Sequence, residues 1–258
     1  MKSISLYLDK NTFLNRTEPF NKVFYIITAI LVPLFIGDLW AYGVFIGLSL
    51  ILLFLGQVLK RTIPLIVFSF TILITIFVIH GLFNANNTNV VFNFLGLRFY
   101  REGVMYALRI SLNIFNMLLS FAIFVLTTKP SDLVEDMERI GFSSRLGYII
   151  TSVFQIIPQM VGTMATITDA QRSRGLETEG NFIVRAKAFI PLIGPVVMSS
   201  LSNTRERAIA LEVRGFEAEG KRTFLKEKKK SKADAIMRII MGAAIVASAG
   251  WRLYLWLS

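Results

Sequence analysis

Apolar residues run for one helix length after another through the first half of this chain, separated by short polar breaks, and the pattern returns at its end. These runs predict membrane spans at about 22–38, 39–59, 62–83, 104–127 and 235–257, each close to the roughly 20 residues that cross a ~30 Å hydrocarbon core. Lipid offers the backbone no partners, so each span is expected to close its hydrogen bonds as a helix. The first carries Pro33, and only Gly37 and Asp38 precede the next run, which predicts a tight hairpin. With 54% of its 258 residues apolar and a mean hydropathy of +0.59, the chain reads as an integral membrane protein. The N-terminal residues lack the apolar core of a cleaved signal peptide, so no removal is expected.

Residues 128–234 break the pattern. Leu146 to Thr168 and Ala188 to Thr204 are uncharged, but Gln155, Pro158 and Gln159 interrupt the first, and Pro191, Gly194 and Pro195 the second. Such composition suits helices buried against protein or lying at the membrane interface. The expected fold is all-α and polytopic: about four spans in 1–127, a cytoplasmic or interfacial helical module in 128–234 and a last span in 235–258, with seven spans as the alternative. Lys129-Pro130-Ser131-Asp132 ends the fourth span and starts a new helix, with Ser131 as the expected N-cap and Leu133, Met137 and Ile140 along one face.

Charge sets the expected orientation. Lys2, Lys10, Arg16 and Lys22 precede the first span, Lys60 and Arg61 separate the second and third, and most of the 28 basic residues fall between Lys129 and Arg238. The other side receives Arg98, Arg101 and Arg252, so the positive-inside rule places the N-terminus and 128–234 in the cytoplasm of a cell-membrane protein. The net charge of +11 is then mainly a topology signal. The run Lys226-Glu227-Lys228-Lys229-Lys230-Ser231-Lys232 sits directly before a span, which favours anionic membrane lipid over nucleic acid as its partner.

Within the basic segment a short sequence recurs. Arg174-Gly175-Leu176-Glu177-Thr178-Glu179-Gly180 returns as Arg214-Gly215-Phe216-Glu217-Ala218-Glu219-Gly220, with Ala170 and Ala210 at the same offset before each arginine. A duplicated core would preserve hydrophobic spacing; this repeat preserves an arginine, its glycines and two acids. It therefore suggests two equivalent docking elements for two equivalent partner surfaces. Gly175 and Gly215 are placed to end helices in the left-handed conformation, so each arginine should project from a last helical turn. A lone Arg-Gly reads as a capping or snorkelling cation; two in parallel contexts favour the docking reading. Crossing the membrane at 146–168 and returning at 188–204 would put Arg174 and Arg214 on opposite faces, which argues for the module.

Ala170-Gln171-Arg172-Ser173-Arg174-Gly175 and Ala210-Leu211-Glu212-Val213-Arg214-Gly215-Phe216 resemble the two Ala-Arg-Gly coupling signatures of the transmembrane T component of energy-coupling-factor transporters. Thr12 to Lys22 with Pro19, Leu108-Arg109, and Thr127-Thr128-Lys129-Pro130 with Asp132-Leu133 extend the resemblance through nearly the whole chain. Ser173 and Val213 stand where the family usually has alanine. The resemblance implies a scaffold that transmits the motion of two cytoplasmic ATP-binding-cassette ATPases to a small membrane-embedded substrate-binding S component, for vitamin uptake. It places ATPase coupling on Ser173, Arg174, Gly175, Val213, Arg214 and Gly215, supported by Ala170, Gln171, Ala210, Glu212 and Phe216.

Catalytic readings find little support. No P-loop is present, so ATP hydrolysis is expected in partner subunits, and no cofactor is expected. Zero cysteines and one histidine exclude thiol chemistry and a multi-histidine metal site, leaving His80 as an interfacial side chain. Glu177, Glu179, Glu217 and Glu219 offer oxygen ligands for a lipid-phosphate enzyme, but they are split between two repeats and Asp-rich metal motifs are missing. Arg109, a few residues inside the fourth span, is expected to snorkel toward the boundary marked by Tyr100 and Tyr106 or to pack against another span, with Asn113 and Asn116 as local partners.

Overall fold

The computed structural model describes residues 12–83, 89–94, 97–176, 181–216 and 232–257, together with Tyr7, Lys10, Ala218 and Phe224. After the short α1 (Phe13–Arg16) come α2 (Pro19–Ile36), α3 (Leu39–Leu55) and α4 (Leu59–Phe83). A β-hairpin, β1 (Val90–Phe94) and β2 (Leu97–Tyr100), leads into α5 (Arg101–Thr127), α6 (Pro130–Arg139), α7 (Ser144–Ser173), α8 (Phe182–Val213) and α9 (Lys232–Leu257). Six of these helices, α2, α4, α5, α7, α8 and α9, are long and apolar enough to cross a membrane; α3 is apolar but shorter. The protein is an all-α, multi-pass membrane protein.

The chain separates into two compact units, one made of 5–136 with 229–258 and the other centred on 137–228. The division falls inside α6, so the first turns of that helix belong with the spans rather than with the segment that follows.

In the first unit, Gly37 at φ 80 closes α2, and α3 starts directly after Asp38, giving the tight hairpin expected. Leu14, Leu53, Val58, Leu119, Ala122, Ile123 and Leu126 form a buried core joining α1, α3 and α5. Polar side chains knit the helices where apolar packing alone gives no register. Tyr25 and Ser49 share a 2.7 Å hydrogen bond between α2 and α3. The wholly buried Asn116 of α5 donates to the Ala29 carbonyl of α2. Asn116 is therefore committed to interhelical packing and not to Arg109, which instead lines a cavity of 200 Å³ with Leu39, Met105 and Tyr106. His80 meets Tyr106 edge-on at 5.1 Å, tying the end of α4 to the start of α5.

The hairpin before α5 was not anticipated. Its β-branched and aromatic residues pair antiparallel, Val90 with Tyr100 and Phe92 with Phe99, and the Arg101 N–H donates to the Asn89 carbonyl at 2.8 Å.

One local expectation is corrected. α6 begins at Pro130, so Lys129 and not Ser131 precedes the first helical residue; proline suits that place because its missing N–H would have no intrahelical partner. α7 and α8 run continuously through Pro158, Pro191 and Pro195, in keeping with the helices expected there. A proline removes one bond and crowds one carbonyl, and helices of 30 and 32 residues retain enough of the ladder on either side to continue.

Candidate functional site

α7 and α8 lie antiparallel. Arg207 Nη2 donates to Gln159 Oε1 at 2.7 Å, and the Tyr148 and Phe216 rings sit 5.1 Å apart at 59°. The polar side chains Gln159, Thr163, Ser200, Asn203 and Arg207 surround one crevice where the helices meet. An antiparallel pair puts the two C-termini at opposite ends. Phe216, two residues past Arg214, packs beside the start of α7, whereas Arg174 lies past its end. At 1.5 Å per helical residue the two arginines are roughly 40 Å apart.

Their local geometry is the same. Leu176 N–H donates to the Gln171 carbonyl at 3.0 Å and Gly175 N–H to Arg172 at 2.9 Å; Phe216 N–H donates to Leu211 at 3.0 Å and Gly215 N–H to Glu212 at 2.9 Å. Each set is a Schellman turn, with the glycine left-handed (φ 92 at Gly175, φ 71 at Gly215) and the arginine at the C-cap. The repeat at the level of residues is thus a repeat of backbone hydrogen bonds.

The end of α6 provides an internal control. Phe142 N–H donates to Met137 at 3.0 Å and Gly141 N–H to Glu138 at 3.1 Å, with Gly141 at φ 107. That third turn carries Ile140 where the others carry arginine. The turn needs the glycine; it does not need the arginine.

Arg174 and Arg214 are both exposed, and neither has a partner among the described residues. Ala170, Ala210, Glu212 and Ser173 are exposed beside them, Gln171 and Phe216 are half-buried, and Val213 is 83% exposed. The Ser173 hydroxyl bonds back to the Asp169 carbonyl at 3.1 Å, so it braces the helix end rather than reaching outward. Glu177, Glu179, Glu217 and Glu219 lie outside the described residues, as do most of the basic run at 226–232 and Arg98's side chain. No group of three metal-ligating side chains occurs among the described residues.

Residues 10–224 match the family described as cobalt transport protein, CbiQ. The chain belongs to this family. Its curated relatives include the energy-coupling factor transporter transmembrane protein EcfT of Staphylococcus aureus, 29% identical over 259 residues and covering 94% of both chains. The EcfT proteins of Brevibacillus brevis (28% identical, 97% of this chain and 98% of the relative) and Acidaminococcus fermentans (26%, 96% and 95%) align equally completely. The protein is a T component of the kind the two Ala-Arg-Gly segments suggested, a transporter subunit and not an enzyme.

Two family-like segments far apart in sequence, Thr12 to Lys22 and Thr127 to Pro130, meet in the fold. Lys22, only 4% exposed, donates to the Thr127 carbonyl at 2.8 Å and to Thr128 Oγ1 at 3.3 Å. Lys129 lies over the Tyr7 ring at 5.2 Å. In the sequence, Lys22 counts as a topology charge and as the end of a family-like segment, and nothing there marks it as buried.

Proposed function

We propose that the protein is the scaffold and coupling subunit of an energy-coupling-factor transporter for micronutrient, specifically vitamin, uptake. Two cytoplasmic ATP-binding-cassette subunits each accept one arginine-bearing helix end, Ser173-Arg174-Gly175 or Val213-Arg214-Gly215, and a small membrane-embedded S component carries the substrate. The N-terminus and the segment 128–234 face the cytoplasm, where basic residues are retained.

The observation that carries this reading is the same turn at each end of an antiparallel helix pair, each placing an exposed arginine that has no partner among the described residues. A guanidinium fixed at a C-cap has a defined direction and five donors, which suits a groove lined by carbonyls and carboxylates. Two such ends about 40 Å apart fit two copies of one kind of surface related by symmetry. ATP-driven closure and opening of an ATPase dimer would then move α7 against α8.

The test is co-purification of the ATPases with chains in which Arg174, Arg214 or both are replaced by alanine, together with uptake by cells. Single substitutions should leave a bound but poorly coupled complex; the double substitution should lose the ATPases. Wild-type association by the double variant would overturn the proposal.

A further inference from the structure

One turn at the start of α2 holds both ends of the chain segment that forms the 137–228 unit. The chain passes from the spans into that unit through α6, directly after Thr127 and Thr128, and returns from it into α9. Lys22 binds the way in, through the Thr127 carbonyl and the Thr128 hydroxyl. Asn21 binds the way out, its Nδ2 donating to Asp234 Oδ1 at 2.7 Å, and Glu18 lies 3.6 Å from Arg238 Nη2 one turn further along α9. Pro19 at the first position of α2 fixes where this turn begins.

The chemistry of the turn is unusual for a span end. A lysine near the membrane boundary normally extends its ammonium to water, but Lys22 and Asn21 are 4% and 2% exposed. The ammonium sits at the C-terminal end of α5, where unpaired carbonyls and the helix dipole favour a cation. A buried charge is retained only while its acceptors stay in place, so the position of Lys22 and that of the 127–128 backbone are locked together. Asn21 to Asp234 is likewise charge-assisted, whereas the more exposed Glu18–Arg238 pair adds little.

We infer that Glu18, Asn21 and Lys22 form a positioning hub through which movement of the 137–228 unit reaches the membrane spans. The inference rests on the coupling function proposed above. Because the two covalent connections of the 137–228 unit are tied to one turn of α2, displacing either connection displaces α2, and with it α3 and α5, to which it is joined by the Tyr25–Ser49 and Asn116–Ala29 bonds. Cutting the ties leaves the ATPase docking ends untouched while letting α6 and α9 move independently of α2. Lys22 and Asn21 are positioning residues, both buried within the unit that holds the spans.

The protein has no cysteine, which allows nitroxide pairs to be introduced at will. One pair, Ala165→Cys with Ser202→Cys, reports α7 against α8; a second, Leu34→Cys with Ile79→Cys, reports α2 against α4. Distances are measured in the complex with its ATPases, in ADP and in non-hydrolysed ATP. The unaltered hub should give an ATP-dependent shift in both pairs. Lys22→Met should keep the ATPases bound and keep the α7–α8 shift, and lose the α2–α4 shift. Asn21→Asp, which sets two carboxylates face to face, should also lose the α2–α4 shift; adding Asp234→Asn exchanges donor and acceptor and should restore it, a rescue that a general loss of stability does not give. A full α2–α4 shift in Lys22→Met, or no rescue by the exchanged pair, overturns the hub alone. Absence of any ATP-dependent α7–α8 shift with the hub unaltered overturns the coupling reading beneath it.

Discussion

Helices α2 and α5 of the span bundle and the α7–α8 pair are all long and apolar enough to cross a membrane, yet the first two are far more buried than the second two. In the bundle, several polar side chains turn inward and bond across helices: Tyr25 with Ser49, Asn116 Nδ2 with the Ala29 carbonyl, Lys22 with the Thr127 carbonyl; Asn116 Oδ1 and Ser111 Oγ are buried there without a hydrogen-bond partner among the described residues. In α7 the sole buried residue among those described is Gly147, and in α8 burial is confined to Ala188, Leu192 and Val196. Ile149, Val153, Phe154 and Ile157 on one helix and Phe189, Ile190, Ile193 and Val197 on the other remain exposed. Exposed apolar faces are shared with α4 and α9 and suit lipid; what sets α7 and α8 apart is the exposed arginine at the end of each, without a partner among the described residues. Length and hydropathy alone do not separate the two pairs of helices.

The contrast is broken most severely at the arginines. Each charge-assisted contact is worth about 1.5–3 kcal/mol, so Arg174→Ala with Arg214→Ala should weaken ATPase association on the order of 10²–10⁴-fold. Thermal stability of the isolated chain should change little, since neither side chain has a partner to lose among the described residues. Lysine at both positions keeps the charge without the planar fork and should restore little.

Asn116→Ala probes the other region. Loss of a buried interhelical hydrogen bond should cost about 1–2 kcal/mol and lower the unfolding midpoint in detergent, while ATPase association per folded molecule stays at the wild-type level. The same loss of association as the arginine variants would erase the distinction between scaffold and docking surface.

The glycines give the smallest and most discriminating comparison. Gly141 and Gly215 both hold positive φ in the same turn, and a Cβ would meet nothing within 4 Å at Gly141 and only the Ala218 Cβ at 3.7 Å at Gly215. Alanine at either should therefore cost about 1 kcal/mol through backbone strain, not collision. Only Gly215→Ala should also reduce ATPase association, because it re-aims Arg214. Equal binding by the two variants would show that the direction of the guanidinium does not matter.

The spans, the α2–α3 turn and the two Arg-Gly helix ends were readable from sequence because each depends on a local rule: apolar length, a glycine where the backbone turns left-handed, an arginine repeated in context. What was not readable depends on what lies across the fold. Asn116 stands two turns from Arg109 on the same helix, and sequence spacing alone suggested that they pair; proximity to Ala29 on α2 decided otherwise. Lys22 obeys the positive-inside pattern, and nothing in its neighbourhood distinguishes a snorkelling lysine from one buried against Thr127.

The coupling function proposed above requires α7 and α8 to present both arginines to one face of the membrane. Because α2 and α9 run side by side, from Asn21 beside Asp234 to Gly37 beside Arg252, the chain leaves α5 and begins α9 at the same end of the bundle. The intervening segment thus crosses the membrane either not at all or an even number of times, and the antiparallel pair puts Arg174 and Arg214 on one face in the first case and on opposite faces in the second. Single cysteines at Ser173 and Ala218, exposed to an impermeant thiol reagent outside intact cells, separate the two cases directly, with a cysteine at Asn87 as the external control. The account predicts labelling at Asn87 and at neither of the others. Labelling at Ser173 with protection at Ala218 would make α7 and α8 membrane spans and contradict it.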